Sequence, residues 1–273
     1  MYNFTHHRPT GLRQASNMLG KLEEAKILAG GQTLIPTMKL RLASPGNIID
    51  LNTVEGLSGI ELKGRSIVIG AMTRHVDVAN SPIVKEHLPA LAHLAGLVGD
   101  PAVRHRGTIG GSVANNDPNA DYPAACLGLG ATIITTKGKH TADDFFKGMF
   151  ETALEPDEII TKVSFPLPKK AGYEKFRNQA SRFALVGVFV SKRGSEIRVA
   201  VTGAGSNGVF RVTSFEEALK KRFAPKSIEG LTLPAEGMNS DIHGSAEYRA
   251  HLVGVMARRA LARANEAPGE GDD

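Results

Sequence analysis

Apolar residues change their spacing several times along this chain, and the changes divide it into segments. Behind Thr10, Leu12, Ala15, Met18 and Leu19 recur in steps of three and four, which predicts a helix with one buried face and a capping hydroxyl. Residues 25–29 read as a short strand cut off by Gly30-Gly31, residues 34–42 as room for a short helix, and residues 47–51 as a second strand. Another strand is expected over 66–70, and after Pro82 the residues Leu88, Leu91, Ala92, Ala95 and Val98 return to helical spacing. From Gly99 to Pro123 periodicity gives way to Gly, Asn, Asp and Pro. A loop of that length inside a compact domain is uncommon unless it has a function. Helix is expected again over 124–129, then strands over 131–136 and 157–165, the last closed by Pro166.

Past Lys169-Lys170-Ala171-Gly172, taken as the domain boundary, the texture turns to β, with strands expected over 184–190, 197–202 and 209–212. Ser214 and Glu217 have capping-box spacing and predict a helix through Lys221. Ser245 is placed to cap an amphipathic helix to Arg263, with Leu252, Met256, Ala260 and Leu261 inward. The polar residues 265–273 are expected to form a disordered tail. The fold class predicted is α+β.

At 273 residues the chain has room for two domains. No run approaches the roughly 20 uninterrupted apolar residues of a membrane-spanning helix, and the N-terminal residues lack the apolar segment of a secretory signal, so a cytoplasmic location is expected. The net charge of +5 is dispersed, and aromatic residues make up only 5% of the chain, so nucleic-acid binding is not expected. A single cysteine, Cys126 in an apolar run, excludes an internal disulfide and a cysteine-ligated iron–sulfur cluster held by this chain alone. The nine histidines show no metal-ligand spacing.

Two glycine-rich segments carry the candidate chemistry. In Ala29-Gly30-Gly31-Gln32-Thr33-Leu34 a strand runs straight into two glycines, so amides can turn toward an anion with no Cβ in the way. A helix starting just beyond adds unpaired N–H groups and a favourable dipole. In Arg106-Gly107-Thr108-Ile109-Gly110-Gly111-Ser112-Val113-Ala114-Asn115-Asn116-Asp117-Pro118, three glycines, two hydroxyls and two asparagines offer many donors and little bulk, the composition of a phosphate nest. Ile109 and Val113 indicate a loop that packs inward, and Asp121 is placed to accept hydrogen bonds from sugar-like hydroxyls. Taken singly, the first segment reads as a tight turn, and the alternative for the second is a long surface loop, against which Ile109 and Val113 argue. Together the two segments suit a dinucleotide, whose pyrophosphate needs donors on both sides. A third segment, Gly203-Ala204-Gly205-Ser206-Asn207-Gly208, matches the spacing of a nicotinamide-dinucleotide fingerprint, but residues 209–212 read as strand where a helix is required, so a hairpin turn is expected there.

The paired segments, with Asp117-Pro118 and Asp121, resemble the flavoprotein (medium) subunits of molybdenum hydroxylases, a family that includes aerobic carbon monoxide dehydrogenase medium subunits and the FAD domain of xanthine dehydrogenase. Glu158-Ile159-Ile160 before Pro166, Ala180-Ser181-Arg182-Phe183-Ala184, and Ser240-Asp241-Ile242-His243 followed by Tyr248-Arg249 extend the resemblance over the whole chain. It implies a two-lobed FAD-binding domain of the vanillyl-alcohol-oxidase (PCMH) type over 1–170, with lobes of about 1–55 and 56–170. A small α+β domain with a three-stranded sheet and helices would follow over 171–264. It further implies that Leu28, Ala29, Gly30, Gly31, Gln32, Thr33, Leu34 and Ile35 line the pyrophosphate opposite Thr108, Ile109, Gly110, Gly111 and Ser112. Asp121 would meet ribityl or ribose hydroxyls, and Val98 and Ile160 would be apolar neighbours of the cofactor. Asn178 stands where several relatives have a lysine near the flavin, and Phe183 is either beside the isoalloxazine ring or a core aromatic.

The function implied is electron transfer through FAD, with no catalytic acid or base and no metal ligand in this chain. A large partner would carry the molybdenum cofactor and a small one the 2Fe–2S clusters, in a doubled heterotrimer. The alternative is a self-sufficient FAD-dependent oxidase of the vanillyl-alcohol-oxidase type. That reading asks for a larger cap domain than the residues after Gly172 supply, and for catalytic tyrosines or histidines near the flavin. A basic binding module, the third reading, leaves both glycine segments unexplained.

Overall fold

Three sheets of three, five and four strands and one two-stranded hairpin order the chain, and the computed structural model describes residues 1–266. The first sheet contains β1 (Thr5–His7), β2 (Ala25–Leu28) and β3 (Asn47–Asp50) in the order β1-β3-β2, with both pairs parallel. Strands that run parallel need a crossover connection, and α1 (Leu12–Lys21) carries the chain from β1 to β2, which lie on either side of β3. Ala15 of α1 and Ile49 of β3 are fully buried against each other's core. Thr10 does not cap α1. Gly11 takes the cap position in extended backbone, one residue past the hydroxyl's reach, and the Thr10 N–H donates instead to the Gln14 side chain at 3.1 Å. The helix α2 (Leu34–Lys39) follows the first glycine turn.

The second sheet begins with β4 (Ile60–Lys63) and β5 (Ser66–Gly70). A helical excursion follows: α3 (His75–Asn80), α4 (Pro82–His87), α5 (Pro89–Gly96), α6 (Pro101–Arg104), α7 (Ile109–Asn115) and α8 (Asp121–Leu129). Then come β6 (Thr132–Thr135), β7 (Lys139–Thr141), α9 (Ala142–Phe145), the small hairpin β8 (Phe146–Gly148) with β9 (Glu151–Thr152), and β10 (Ile160–Pro166). The order is β4-β5-β10-β6-β7, antiparallel throughout. Ile67, Ile69, Val163 and Phe165 of this sheet meet Val78, Leu91, Leu94, Val113 and Tyr122 of the helices in one core.

The stretch from Gly99 to Pro123 is therefore no continuous loop: it holds α6, α7 and the start of α8. Its glycines are poor helix formers, so composition hides the helices. What makes α7 a helix is Ile109 and Val113, four residues apart on one face and both fully buried, with the Thr108 hydroxyl capping the first turn.

The three strands expected in the C-terminal part form β12 (Ala184–Arg193), β13 (Glu196–Thr202) and the short β14 (Phe210–Arg211), and they are joined by β11 (Lys170–Arg177) in the order β11-β12-β13-β14. The segment 203–208 turns from β13 into β14, which pairs antiparallel with it. This sheet is covered on both sides. Val186, Val188 and Val190 pack on α10 (Thr213–Lys221) and α11 (Ala246–Asn265), while Tyr173, Phe189 and Ala200 belong to the core of the second sheet and face α8. Gly172, taken from sequence as part of a linker, lies inside β11 where α11 comes closest: a Cβ there would sit 2.1 Å from the Ala260 carbonyl oxygen. The Ser214–Glu217 capping box does not form, because α10 starts at Thr213 from Val212, and Glu217 pairs with Lys220. The helix α11 is capped by Ser245 and runs to Asn265, the first residue of the expected tail; residues 267–273 lie outside the described residues. Among the described residues, no helix is long and apolar enough to cross a membrane.

Candidate functional site

The two glycine segments meet. Gly30 is buried with its Cα against the backbone of the second segment; a Cβ on it would fall 2.1 Å from the Arg106 carbonyl oxygen and 2.7 Å from the Gly107 Cα. Farther along, a Cβ on Gly111 would lie 3.5 Å from the Ala29 Cβ. Leu28 ends β2 on its pairing with Asp50, and the Ala29 carbonyl accepts from the Asn52 side chain at 3.0 Å, which fixes where the first turn begins. Gly31 takes up a left-handed backbone, φ 74°, and redirects the chain into α2.

The two turns differ in what they offer a ligand. In the first, the Ile35 N–H closes back on the Gly31 carbonyl at 3.1 Å, but the N–H groups of Gly31, Gln32, Thr33 and Leu34 have no protein acceptor among the described residues. Gln32 and Thr33 are exposed, and Leu34 and Ile35 partly buried. In the second, the donors are largely satisfied. Ile109 donates to the Thr73 carbonyl (3.0 Å), Gly110 to the Ala71 carbonyl (2.8 Å), Ser112 to the Thr108 carbonyl (3.1 Å), and Gly111 to the Thr108 hydroxyl (3.2 Å). The first turn is thus the amide donor. The second is the wall, pressed onto the residue after β5 so closely that a Cβ on Gly110 would lie 2.5 Å from the Ala71 Cβ.

Asp121 is engaged by protein partners. Its side chain is 4% exposed and faces the C-terminal sheet, accepting from the Tyr173 hydroxyl and from Lys175 Nζ at 3.0 and 3.1 Å on its two oxygens. The carboxylate that sequence reading offers to sugar hydroxyls is thereby turned inward, because it sits at the first residue of α8, where that helix abuts β11. Burial pushes its pKa up, and the Lys175 ammonium and Tyr173 hydroxyl pull against that rise. Lys175 itself was missed in sequence because β11 was: Tyr173 and Lys175 alternate onto one face of that strand.

Val98, just past α5, is partly buried and packs against the central core, and Ile160 at the start of β10 is buried within it. Asn178 and Phe183 lie in the β11–β12 connection. The Asn178 side-chain oxygen accepts from the Ala180 and Ser181 N–H groups at 2.9 and 3.1 Å, a local turn, and Phe183 is 47% exposed, which removes its core reading. His75 also escaped notice in the sequence. It is buried beside Gly107, its ring 5.3 Å from that of Tyr122, and burial with the nearby Arg104 guanidinium lowers its pKa to about 4. Cys126 is fully buried in α8, and burial raises its thiol pKa, as suits an inert core residue.

Residues 2–168 match the family described as the FAD binding domain in molybdopterin dehydrogenase. The carbon monoxide dehydrogenase medium chain of Hydrogenophaga pseudoflava is 37% identical, covering 94% of this chain and 96% of its own length. The nicotine 6-hydroxylase medium subunit of Paenarthrobacter nicotinovorans is also 37% identical, over 94% of this chain and 95% of that one. Among solved structures, the carbon monoxide dehydrogenase from Hydrogenophaga pseudoflava that lacks the Mo-pyranopterin moiety of the molybdenum cofactor superposes with a TM-score of 0.83 at 37% identity, over 96% of this chain and 97% of that one.

Proposed function

Because the chain belongs to the family of FAD-binding domains in molybdopterin dehydrogenases, we propose that it is the flavin-carrying electron-transfer subunit of a molybdenum-dependent hydroxylase. The observation that carries this reading is the meeting of the two glycine segments, four amides without a protein acceptor on one side and a rigid capped wall on the other. A pyrophosphate fits that chemistry, since it brings acceptors and negative charge to donors that nothing else satisfies. Residues 28–35 would hold it against 108–112.

Bound FAD supplies the redox centre; the protein's own task is to hold, orient and shield it. No side chain in residues 28–35 or 108–112 is an acid or base, and none needs to be. With Cys126 buried, the iron–sulfur clusters belong to a small partner and the molybdenum cofactor to a large one, in a doubled heterotrimer in the cytoplasm. On this reading the FAD-binding part spans residues 1–170, in lobes of 1–55 and 56–170, and a C-terminal unit spans 171–264. The C-terminal sheet that opens at Lys170 and the family match that ends at 168 support the division.

The test is to purify the chain and titrate it with FAD, then to isolate the native complex and analyse its large subunit for metal. One flavin per chain and molybdenum in the partner are expected. Absence of flavin binding, or reduction of the flavin by a small substrate with no partner present, overturns the reading.

A further inference from the structure

The segment after the second glycine turn is held from two sides, by the C-terminal sheet and by the β8–β9 hairpin. Across that sheet, Lys175 on β11, Gly187 on β12 and Thr202 on β13 lie at one level, Lys175 paired with Gly187 and Gly187 with Thr202. Gly187 leaves a slot in the middle of the row: a Cβ there would fall 2.5 Å from the Tyr173 hydroxyl and 2.9 Å from the Thr202 methyl. The two side chains beside the slot reach over it to the same stretch of chain. The Thr202 hydroxyl lies 3.0 Å from the Pro118 carbonyl and 2.7 Å from the Ala120 carbonyl, and the Gly203 N–H donates to the Pro118 carbonyl at 2.8 Å. Lys175 and Tyr173 take the carboxylate of Asp121.

That stretch leads straight back to the glycine turn. Asn116 ends α7 in a left-handed backbone, φ 42°, and its side-chain amide donates to the carbonyls of Gly148 and Glu151, 2.8 Å each, in the β8–β9 hairpin. From Thr108 to Asp121 the chain is thus one short helix with a tether at its end and a second, stronger tether one turn later. Burying a Lys–Asp pair is costly, and such a pair is weak support for stability alone, because apolar residues of similar size would do as well. Here the pair fixes the first residue of α8, which follows α7 and its cap after one short connection.

We propose that the Lys175–Gly187–Thr202 row is a positioning device for the cofactor site, with Thr202 and Lys175 acting through Pro118, Ala120 and Asp121 to hold the 108–112 turn against the 29–34 turn. This rests on the FAD reading above. It makes flavin affinity depend on residues of the C-terminal sheet that lie outside both glycine turns.

The experiment is FAD titration of the full-length apoprotein by flavin fluorescence, with apoprotein Tm measured in parallel. Thr202→Val keeps the shape and removes the hydroxyl; Thr202→Ser restores it. A dissociation constant at least tenfold higher for Thr202→Val and recovery in Thr202→Ser are expected; Thr202→Val also lowers Tm, because the buried Ala120 carbonyl loses the hydroxyl donor, so both variants are titrated well below their Tm. As a second arm, Lys175→Met leaves a lone buried carboxylate and lowers Tm, and Lys175→Met with Asp121→Asn removes both charges. In the pair variant Tm is expected to recover while affinity stays low. A Thr202→Val chain that binds FAD as tightly as the unaltered one, or a pair variant in which affinity returns together with Tm, overturns the positioning role. An unaltered chain that takes up no FAD overturns instead the reading on which it rests.

Discussion

Gly30 stands against the carbonyl group of Arg106 so closely that a methyl group placed on it would lie 2.1 Å from that oxygen. The contact joins two segments distant in sequence, and it leaves no room for a side chain between their backbones. Gly30→Ala must therefore part the turns. Overpacking of this kind costs about 1–3 kcal/mol. The loss expected here is larger in function than in fold: the variant remains folded by circular dichroism and purifies with little or no flavin. A flavin-to-protein ratio equal to that of the unaltered chain would show that the junction of the turns is not where the cofactor lies.

Gly111 gives a graded version of the same test. A Cβ there meets Thr108 Oγ1 at 3.0 Å and the Ala29 Cβ at 3.5 Å, so one methyl group is nearly accommodated and a branched side chain is not. Gly111→Ala is expected to weaken FAD retention only a few-fold, whereas Gly111→Val abolishes it and leaves the C-terminal sheet folded. The readout is the flavin absorbance of the purified variants together with protease resistance of residues beyond 170. Equal flavin content in both variants contradicts the assignment of the second segment as the wall of the site.

The glycine segments were readable because their chemistry is local: a strand that stops at two glycines, a threonine ahead of a small-residue run. What was not readable depends on distant partners. Composition made 99–123 look like one loop, since helix propensity counts Gly110 and Gly111 against α7, and only the burial of Ile109 and Val113 reverses the balance. The strand β11 was hidden because Lys169-Lys170 and Gly172 look like a linker; Gly172 is there to admit α11. With β11 unseen, Tyr173 and Lys175 had no face, and their contacts with Asp121 could not be read. The caps offered to Thr10 and Ser214 failed by one residue each, which is the ordinary uncertainty of a helix boundary.

His75 predicts a pH dependence of stability. Unfolded, its pKa is the ordinary 6.5; folded, burial and the Arg104 guanidinium hold it at about 4. Between those values the unfolded chain binds a proton that the folded chain does not. The contribution is complete above pH 6.5 and is lost as pH falls toward 4, by roughly 3 kcal/mol over the window. The midpoint of urea unfolding should fall between pH 7 and pH 4.5. In His75→Phe, which keeps a ring beside Tyr122 and carries no titrating nitrogen, the fall should be visibly shallower. Parallel curves for the two proteins would assign the acid sensitivity to other groups.

Arg249 predicts where the C-terminal part is most easily broken. Its guanidinium is buried under α11 and donates to the carbonyls of Leu185 (2.8 Å) and Gly203 (2.9 Å), and to Asp241 at 2.7 Å. One side chain thus ties the start of β12, the end of β13 and the 241–244 turn, whose Asp241 carboxyl is held below its ordinary pKa mainly by the His243 N–H and the Arg249 contact, against the opposing effect of burial. Arg249→Met fills the same volume but takes the charged donor from the Leu185 carbonyl and leaves the Gly203 carbonyl only the longer contact from the Asn239 amide, 3.3 Å. A loss of about 3 kcal/mol is expected from hydrogen bonds to a charged group. Because Arg249 lies on the α11 face of the sheet, opposite the face that carries Lys175, FAD affinity of the folded variant should change far less than its unfolding midpoint. An Arg249→Met chain with unaltered stability would mean that the carbonyls of Leu185 and Gly203 find other donors; one that folds well but loses FAD would place Arg249 in the cofactor-positioning path.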